Sequence, residues 1–294
     1  MFLPILPMVL VNGICGLGTG WVSDIPQFNP LDIIEVVESK LKGVEPKELL
    51  PWTRNHLGKY TRTDGVLTSH GVYNVTGDTL SITELPVGVW TEKVEAQLKN
   101  PKSKLEFTKV EENHTDVTVQ FTVKGIKDMD KMIKALKLEK TVRENYVVFS
   151  EGHLRTTTVA NIIDTHYEKR LRLYHSRVDA QKNALLLEIQ SMEGKLNFIE
   201  ACINGKIPLT TATYDELVAV CATLGVDSAH LDMKLRDLTK QNVVKLKQSI
   251  QEARDRYDVL RRTPVTDIWL RELQELKRSI GTGDKKRNIV DITV

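Results

Sequence analysis

The feature that most constrains the fold is a long stretch, residues 159–204, that has no proline and a single glycine, Gly194. Proline and glycine are the strongest interrupters of helices, so this stretch predicts one continuous helix of roughly 69 Å at about 1.5 Å per residue. Its apolar residues recur mostly at steps of three and four, the spacing of a coiled-coil seam, with polar Gln181 at one position. The predicted seam consists of Leu171, Tyr174, Val178, Leu185, Ile189, Met192, Leu196, Ile199 and Ile203.

The residues that follow predict a partner for this seam. Residues 206–237 predict a small helical cap, whose helix YDELVAVCATLG ends at Gly225. Residues 238–280 predict a returning helix and, after a break at Thr263-Pro264, a further amphipathic helix. With the long helix, assigned to residues 156–205, they form an antiparallel coiled-coil hairpin. Residues 281–294 predict a loosely ordered tail.

Residues 24–155 have a sequence pattern typical of a mixed α/β domain. Short alternating runs such as DTLSITELP and DVTVQFTVKG predict strands that are separated by glycine-containing turns. One helix is predicted to begin at Asn29-Pro30 and run towards Gly43, and a second to span residues 127–139. The predicted fold class is therefore α+β, with a small mixed α/β domain before the helical hairpin and its cap.

The first 23 residues carry no charged side chain. A signal peptide would begin with basic residues, and a membrane helix needs about 20 mostly apolar residues, whereas prolines and glycines interrupt this run. We therefore expect no membrane segment. Instead, LPMVLVNG predicts a buried strand and GICGLGTGW a glycine loop. A buried strand so close to Met1 predicts a junction to a domain that is missing from this chain.

Composition and motifs narrow the possible functions. The chain has 41 Lys plus Arg and 39 Asp plus Glu, so its net charge of +2 gives no overall electrostatic case for nucleic-acid binding. Three scattered cysteines exclude a disulfide framework and lack the spacing of a metal site. The sequence contains no HExxH, CxxC, GxxxxGK[ST] or GxSxG motif, and GLGTG lacks the lysine of a phosphate loop. No self-contained catalytic, nucleotide or metal site is predicted.

Two segments resemble a known family. The run LPILPMVLVNGICGLGTGWVSDIPQFNP, residues 3–30, resembles the stretch of type IIA DNA topoisomerases that follows the winged-helix domain with the catalytic tyrosine. LSITELPVGVWT, residues 80–91, resembles the family's second signature. The long helix, cap and returning helix are similar to its coiled coil and C-gate. The resemblance implies the tower (24–155), coiled coil and C-gate of the DNA-cleaving subunit, as in eukaryotic topoisomerase II or the medium subunit of a phage enzyme.

The resemblance also implies what this chain lacks. In the family the covalent tyrosine follows an arginine and lies upstream of the LPILPMVLVNG stretch, which here is before Met1. The one Arg-Tyr pair, Arg256-Tyr257, lies after the glycine loop, and Tyr257 falls in the seam of the returning helix. The tyrosine would come from a winged-helix piece, and ATP and Mg²⁺ would be bound by an ATPase/TOPRIM subunit. Alone, the chain is predicted to be inactive.

The glycine loop is the predicted DNA-bending element. In the family an apolar residue at this site inserts between base steps of the gate DNA, which implies that role for Leu17. Three glycines of the loop, Gly16, Gly18 and Gly20, allow close backbone approach, and Thr19 is the fourth residue of the predicted DNA loop. Insertion costs a few kcal/mol of unstacking per step, which the wider contact with a bent duplex offsets. The alternative is that Leu17 packs under Trp21.

Two further groups of residues are candidates for contacts. Basic residues of the tower either neutralise DNA phosphates or are ordinary surface charge, and they are Lys59, Arg62, Lys102, Lys104 and Lys109. Apolar residues of the cap form its core or the face of a C-gate dimer, and they are Leu217, Val218, Val220, Cys221, Leu224 and Leu231.

The predicted function is one part of an ATP-dependent type II topoisomerase that passes one duplex through a transient double-strand break. The expected partners are double-stranded DNA, a second copy of the chain, the winged-helix piece and the ATPase/TOPRIM subunit. The expected location is the cytoplasm, that of the host for a phage protein, or the nucleus for a eukaryotic one. The alternative is a non-catalytic coiled-coil adaptor with an α/β head that does not bind DNA.

Overall fold

The computed structural model describes residues 3–290 except 104, 116–117, 151, 210–211 and 235–236. The chain divides into two compact units. Unit 1 comprises residues 1–168 and 276–294, and unit 2 comprises residues 169–275. Within the described residues, no helix is both long enough and apolar enough to span a bilayer.

Helices occur in both units, and strands occur in unit 1. The helices are α1 (Met8–Asn12), α2 (Pro30–Leu41), α3 (Thr91–Lys99), α4 (Met129–Ala135), α5 (Val159–Ile203), α6 (Tyr214–Thr223), α7 (Lys240–Arg262) and α8 (Val265–Val290). The strands are β1 (Ile14–Gly18), β2 (Trp21–Ile25), β3 (Tyr60–Thr63), β4 (Val66–His70), β5 (Val72–Thr76), β6 (Thr79–Glu84), β7 (Lys109–Glu112), β8 (Phe121–Lys124), β9 (Glu139–Thr141), β10 (Val147–Ser150) and β11 (His153–Thr156). The α+β prediction is confirmed.

The core of unit 1 lies on an antiparallel sheet of order β5-β6-β8-β7. Strands β6 and β8 alternate apolar and polar residues, so one face of each is buried against helices α3 and α4. The fully buried residues of this core include Leu80, Ile82, Phe121 and Val123. A second antiparallel sheet has the order β3-β4-β9. The predicted strands in DTLSITELP and DVTVQFTVKG correspond to β6 and β8.

Helix α2 begins where the sequence predicts. The side chain of Asn29 accepts a hydrogen bond from the backbone N–H of Leu31 at 2.9 Å, and Pro30 occupies the first turn, where its missing N–H costs nothing. The second predicted helix is shorter than residues 127–139. Asp128 caps α4 by accepting from the N–H of Lys131, and Lys137 has a φ of 54°, which ends the helical conformation.

The prediction of a strand in LPMVLVNG is wrong. Residues Met8–Asn12 form α1, with Leu10 fully buried. A short apolar run has no periodicity that separates strand from helix, and the contacts show why the helix forms here. The N–H of Leu10 bonds back to the carbonyl of Pro7 at 2.9 Å, and its own carbonyl accepts from Phe28 N–H at 2.8 Å.

The long helix of the prediction is confirmed as α5, Val159–Ile203. In unit 2 its seam residues Tyr174, Val178, Ile189 and Ile199 are buried, as predicted. Phe198 is equally buried but lies outside the predicted seam. It belongs to a cluster that includes cap residues, and its ring lies 5.9 Å from that of His230. The predicted C-terminal tail differs too: α8 continues to Val290, past residue 280.

The returning helix α7 packs on α5 through Ile189, Ile250 and Ala253. Tyr257 packs against this cluster, as its position in the seam predicts. The break at Pro264 is confirmed, since α7 ends at Arg262 and α8 begins at Val265.

Trp269 anchors α8 to α5 within unit 2. Its indole is fully buried and stacks on the ring of Tyr174, with ring centroids 5.4 Å apart. The phenol of Tyr174 donates a hydrogen bond to Glu272, which also accepts from Arg177 at 2.8 Å. Burial and this carboxylate raise the pKa of Tyr174 to about 12, so the phenol stays a donor at neutral pH.

Candidate nucleic-acid interface

The predicted glycine loop is a β-hairpin with an exposed tip. Strands β1 and β2 pair antiparallel, with Leu17 opposite Val22 and Gly18 opposite Trp21. The side chain of Leu17 is 86% exposed, which contradicts the alternative that it packs under Trp21. A single exposed apolar residue is common on protein surfaces. Here Val22, which lies directly opposite Leu17, is exposed as well. The hairpin therefore presents a small apolar surface with Leu17 as its most prominent residue.

The glycines of the hairpin have two different roles. Gly20 has a φ of 75°, which the turn between the strands requires and which favours glycine. Gly16 and Gly18 have no such requirement, and a Cβ at Gly16 would have no neighbour within 4 Å. Glycine weakens a strand unless another surface comes close to its backbone. These two positions are suited to close approach by a body outside this chain.

The base of the hairpin is fixed to the rest of unit 1. The backbones of Asp24 and Asn145 exchange two hydrogen bonds of 2.9 and 2.8 Å. The hydroxyl of Ser23 donates to the carbonyl of Val147 at 2.9 Å, and the Asn145 amide donates to the carbonyl of Val22 at 2.6 Å. A tip held on such a base can insert without first losing much conformational freedom.

The predicted phosphate-binding residues differ in how far their charge is compensated. Lys59 and Lys102 are exposed. Lys109 is exposed but lies 2.9 Å from a carboxylate oxygen of Glu111, whose pKa is lowered to about 2 by Lys109 and Lys124. Lys104 lies outside the described residues. Lys59 and Lys102 are accordingly the better candidates for phosphate contacts.

Arg62 is the least suited of the predicted set. Its guanidinium forms a bidentate pair with the Glu144 carboxylate, at 2.9 Å on both sides, and lies 3.0 Å from Glu48. Hydrogen bonding to Glu144 raises the pKa of Arg62, and burial raises the pKa of the adjacent Tyr146. The charge of Arg62 is thus compensated by carboxylates within unit 1.

The cap residues separate into a core and a surface. Leu217 and Cys221 are buried between α6 and the end of α5, and Val220 and Leu231 pack against them from the edge. Leu224 is 40% exposed. Tyr214, at the start of α6, is also exposed, and no role was predicted for it from the sequence. It could have been noticed as an aromatic residue that directly follows the N-cap Thr213.

One group of side chains has the composition of a cation site that the sequence does not predict. Ligand atoms of Glu95, Glu112 and His114 lie within 4.8 Å of one another. The ammonium of Lys99 lies 3.6 Å from both carboxylates, and His114 Nε2 lies 3.2 Å from Glu95. Lys99 therefore already compensates part of the negative charge of this group.

Comparison with known proteins decides the family. Residues 1–274 match the family described as the DNA gyrase/topoisomerase IV A subunit. The chain belongs to this family. The match covers most of unit 1 and nearly all of unit 2, so the resemblance seen in residues 3–30 and 80–91 is confirmed over residues 1–274.

Relatives of this family member include DNA topoisomerase 2 of Trypanosoma cruzi, 30% identical over 95% of this chain, and the mitochondrial DNA topoisomerase 2 of Dictyostelium discoideum, 26% identical over 97%. The chain spans about a quarter of the length of both relatives, 24% in each case. These relatives are eukaryotic and give no support to a phage origin. Membership favours the topoisomerase interpretation over the adaptor.

A solved structure has the same fold. The DNA-binding, cleavage and re-ligation domain of Plasmodium falciparum topoisomerase II superposes with a TM-score of 0.68, at 23% identity. The likeness covers 97% of this chain and 46% of that one. It confirms the fold class of this family member.

Proposed function

We propose that these residues form the DNA-bending and exit-gate part of a type IIA topoisomerase, which passes one duplex through a transient double-strand break in another. The observation that carries the proposal is Leu17, 86% exposed at the tip of a hairpin whose base is fixed. Inserted between two base pairs, an apolar side chain unstacks them and kinks the duplex, and the bent duplex then contacts more protein.

The cleavage chemistry is assigned to residues outside this chain. Tyr257, in the one Arg-Tyr pair, packs against the α5–α7 seam, so it is not proposed as a nucleophile. The tyrosine would come from the winged-helix piece, while ATP and Mg²⁺ would be bound by an ATPase/TOPRIM subunit. The enzyme class of the assembly is that of an isomerase. The compartments stay those predicted from the resemblance, and the name of the Dictyostelium relative adds the mitochondrion.

Binding to a 30-base-pair duplex tests the proposal through its salt dependence. We expect the affinity of the full chain to fall as salt rises, because Lys59 and Lys102 displace counterions from phosphates. Lys59→Gln should reduce the slope of log K against log salt by about 0.9. Lys127→Gln is the matched control, because Lys127 is exposed but paired with Glu106 at 2.6 Å. A wild-type chain that does not bind the duplex would refute the proposed function.

The exit gate is proposed to be a two-fold contact between caps, with Leu224 in the contact. We expect gel filtration at micromolar concentration to give twice the chain mass of 33.3 kDa. Leu224→Glu places a charge in an apolar contact and should give the mass of one chain. Val259→Glu, at a position 63% exposed on α7, is the control and should leave the dimer intact. A wild-type chain that elutes as a monomer contradicts the gate.

A further inference from the structure

A second hairpin lies beside the one that carries Leu17. Strands β10 and β11 pair antiparallel, with Phe149 directly opposite Leu154. Phe149 is 72% exposed and Leu154 is 43% exposed. Side chains at directly opposed positions share one face of a sheet. The hairpin therefore exposes a contiguous apolar pair.

The same face is buried at the base of this hairpin and exposed further along β10. Val147 lies two residues before Phe149 on β10, so both side chains point to the same face. Val147 is 8% exposed and its carbonyl accepts the hydrogen bond from Ser23. This face is thus covered at Val147, where β10 contacts β2, and exposed at Phe149.

The two hairpins point the same way. The chain at Asn145 runs antiparallel to β2, with Asn145 opposite Asp24 at the base of the first hairpin. Strand β10 therefore runs from that base towards the Leu17 tip. The hairpins are two separate two-stranded sheets, and β10 is the strand that lies beside β2. At an ordinary strand spacing of about 4.8 Å, β1 and β10 lie roughly 10 Å apart.

The described ionisable side chains of the second hairpin do not share a face with Phe149. These side chains are His153 and Arg155, both exposed. They alternate with Leu154 along β11, so they lie on the face opposite Phe149. Glu151 lies outside the described residues.

We propose that the β10–β11 hairpin is a second contact with the bent duplex, in which Phe149 packs into the minor groove next to the step opened by Leu17. The proposal rests on the proposed function, because it takes the same DNA as the occupant of both hairpins. A side chain that wedges from the minor groove kinks the duplex towards the major groove and widens the minor groove. A distance of roughly 10 Å corresponds to about three base steps of 3.4 Å, so Phe149 meets the widened stretch.

The test compares four variants of the full chain, Leu17→Ala among them, on one 30-base-pair duplex with a fluorophore at each end. Phe149→Ala should bind about tenfold more weakly and bend the duplex less, since it removes an aromatic contact with sugars and bases. Its salt slope should equal that of the wild type, because no phosphate contact is lost. Leu154→Ala removes the smaller member of the pair and should weaken binding about threefold. Trp90→Ala, an aromatic residue 64% exposed elsewhere in unit 1, should change neither quantity.

The outcomes separate this proposal from the proposed function. If the wild type binds and bends the duplex and Leu17→Ala impairs both, but Phe149→Ala and Leu154→Ala match the wild type, the second contact is refuted and the function stands. The hairpin would then be a surface for a protein. If the wild type neither binds nor bends DNA, both proposals fail. Thermal melts of all variants should coincide, because the mutated side chains are exposed.

Discussion

Replacing Leu17 with alanine is expected to abolish the bend that we propose this chain imposes on a duplex. Alanine is too short to hold two base pairs apart, so the step restacks and the duplex straightens. A straight duplex cannot make the contacts that a bent duplex makes, so we expect the affinity for DNA to fall by about tenfold to a hundredfold. Fluorescence transfer between the ends of a 30-base-pair duplex measures the bend, and titration measures the affinity.

The control for this variant is the same substitution at a matched position. Leu187 on α5 is 68% exposed and belongs to unit 2, so Leu187→Ala should leave binding and bending unchanged. Leu17→Ile keeps an apolar wedge and should retain most of the bend. The thermal midpoint of Leu17→Ala should match the wild type, because an 86% exposed side chain contributes little to stability. If Leu17→Ala bends DNA as the wild type does, the wedge is refuted.

Replacing Trp269 with alanine is expected to have the largest effect on stability. The indole is fully buried in unit 2 and stacks on Tyr174, so its removal loses apolar burial, leaves a cavity and breaks an aromatic pair. These losses together predict a decrease of about 3–5 kcal/mol in the free energy of unfolding. Chemical denaturation followed by circular dichroism at 222 nm measures it.

Two further variants identify the source of this loss. Trp90→Ala removes an indole that is 64% exposed and should change the free energy of unfolding by about 0.5 kcal/mol or less. Trp269→Phe keeps an aromatic ring on Tyr174 and should lose less than alanine does. A stability of Trp269→Ala equal to that of Trp90→Ala would contradict the anchoring of α8 on α5.

Local signals predicted the helical part of the fold well. The start of α2 at Asn29-Pro30, the uninterrupted α5 and the break at Pro264 each depend on residues within a few positions of one another. Such signals act through backbone geometry and capping, which do not require knowledge of the rest of the chain. The short apolar run of α1 has no such signal, because strand and helix are equally compatible with it.

The candidate site was predictable in part. Leu17 and Gly20 were predicted because they lie in one segment with a family signature. Leu17 is exposed, as a wedge requires, and Gly20 has the positive φ of the turn. Arg62 was chosen only for its charge. Its partner Glu144 is 82 positions away, so no local pattern indicates that the charge is compensated. Phe149 was not predicted, for the same reason. Only the tertiary structure places its hairpin beside the hairpin that carries Leu17.

The sequence by itself determined the long helix, most of its seam, the start of α2 and the break at Pro264, because each follows from propensity and periodicity among neighbouring residues. Only the tertiary structure decided which charged residues pair, which cap residues are buried and that two exposed hairpins lie side by side. Those outcomes depend on contacts such as Asp24 with Asn145, which join parts of the chain far apart in sequence. Burial and charge compensation are properties of such contacts, and they determine which apolar and charged side chains stay exposed.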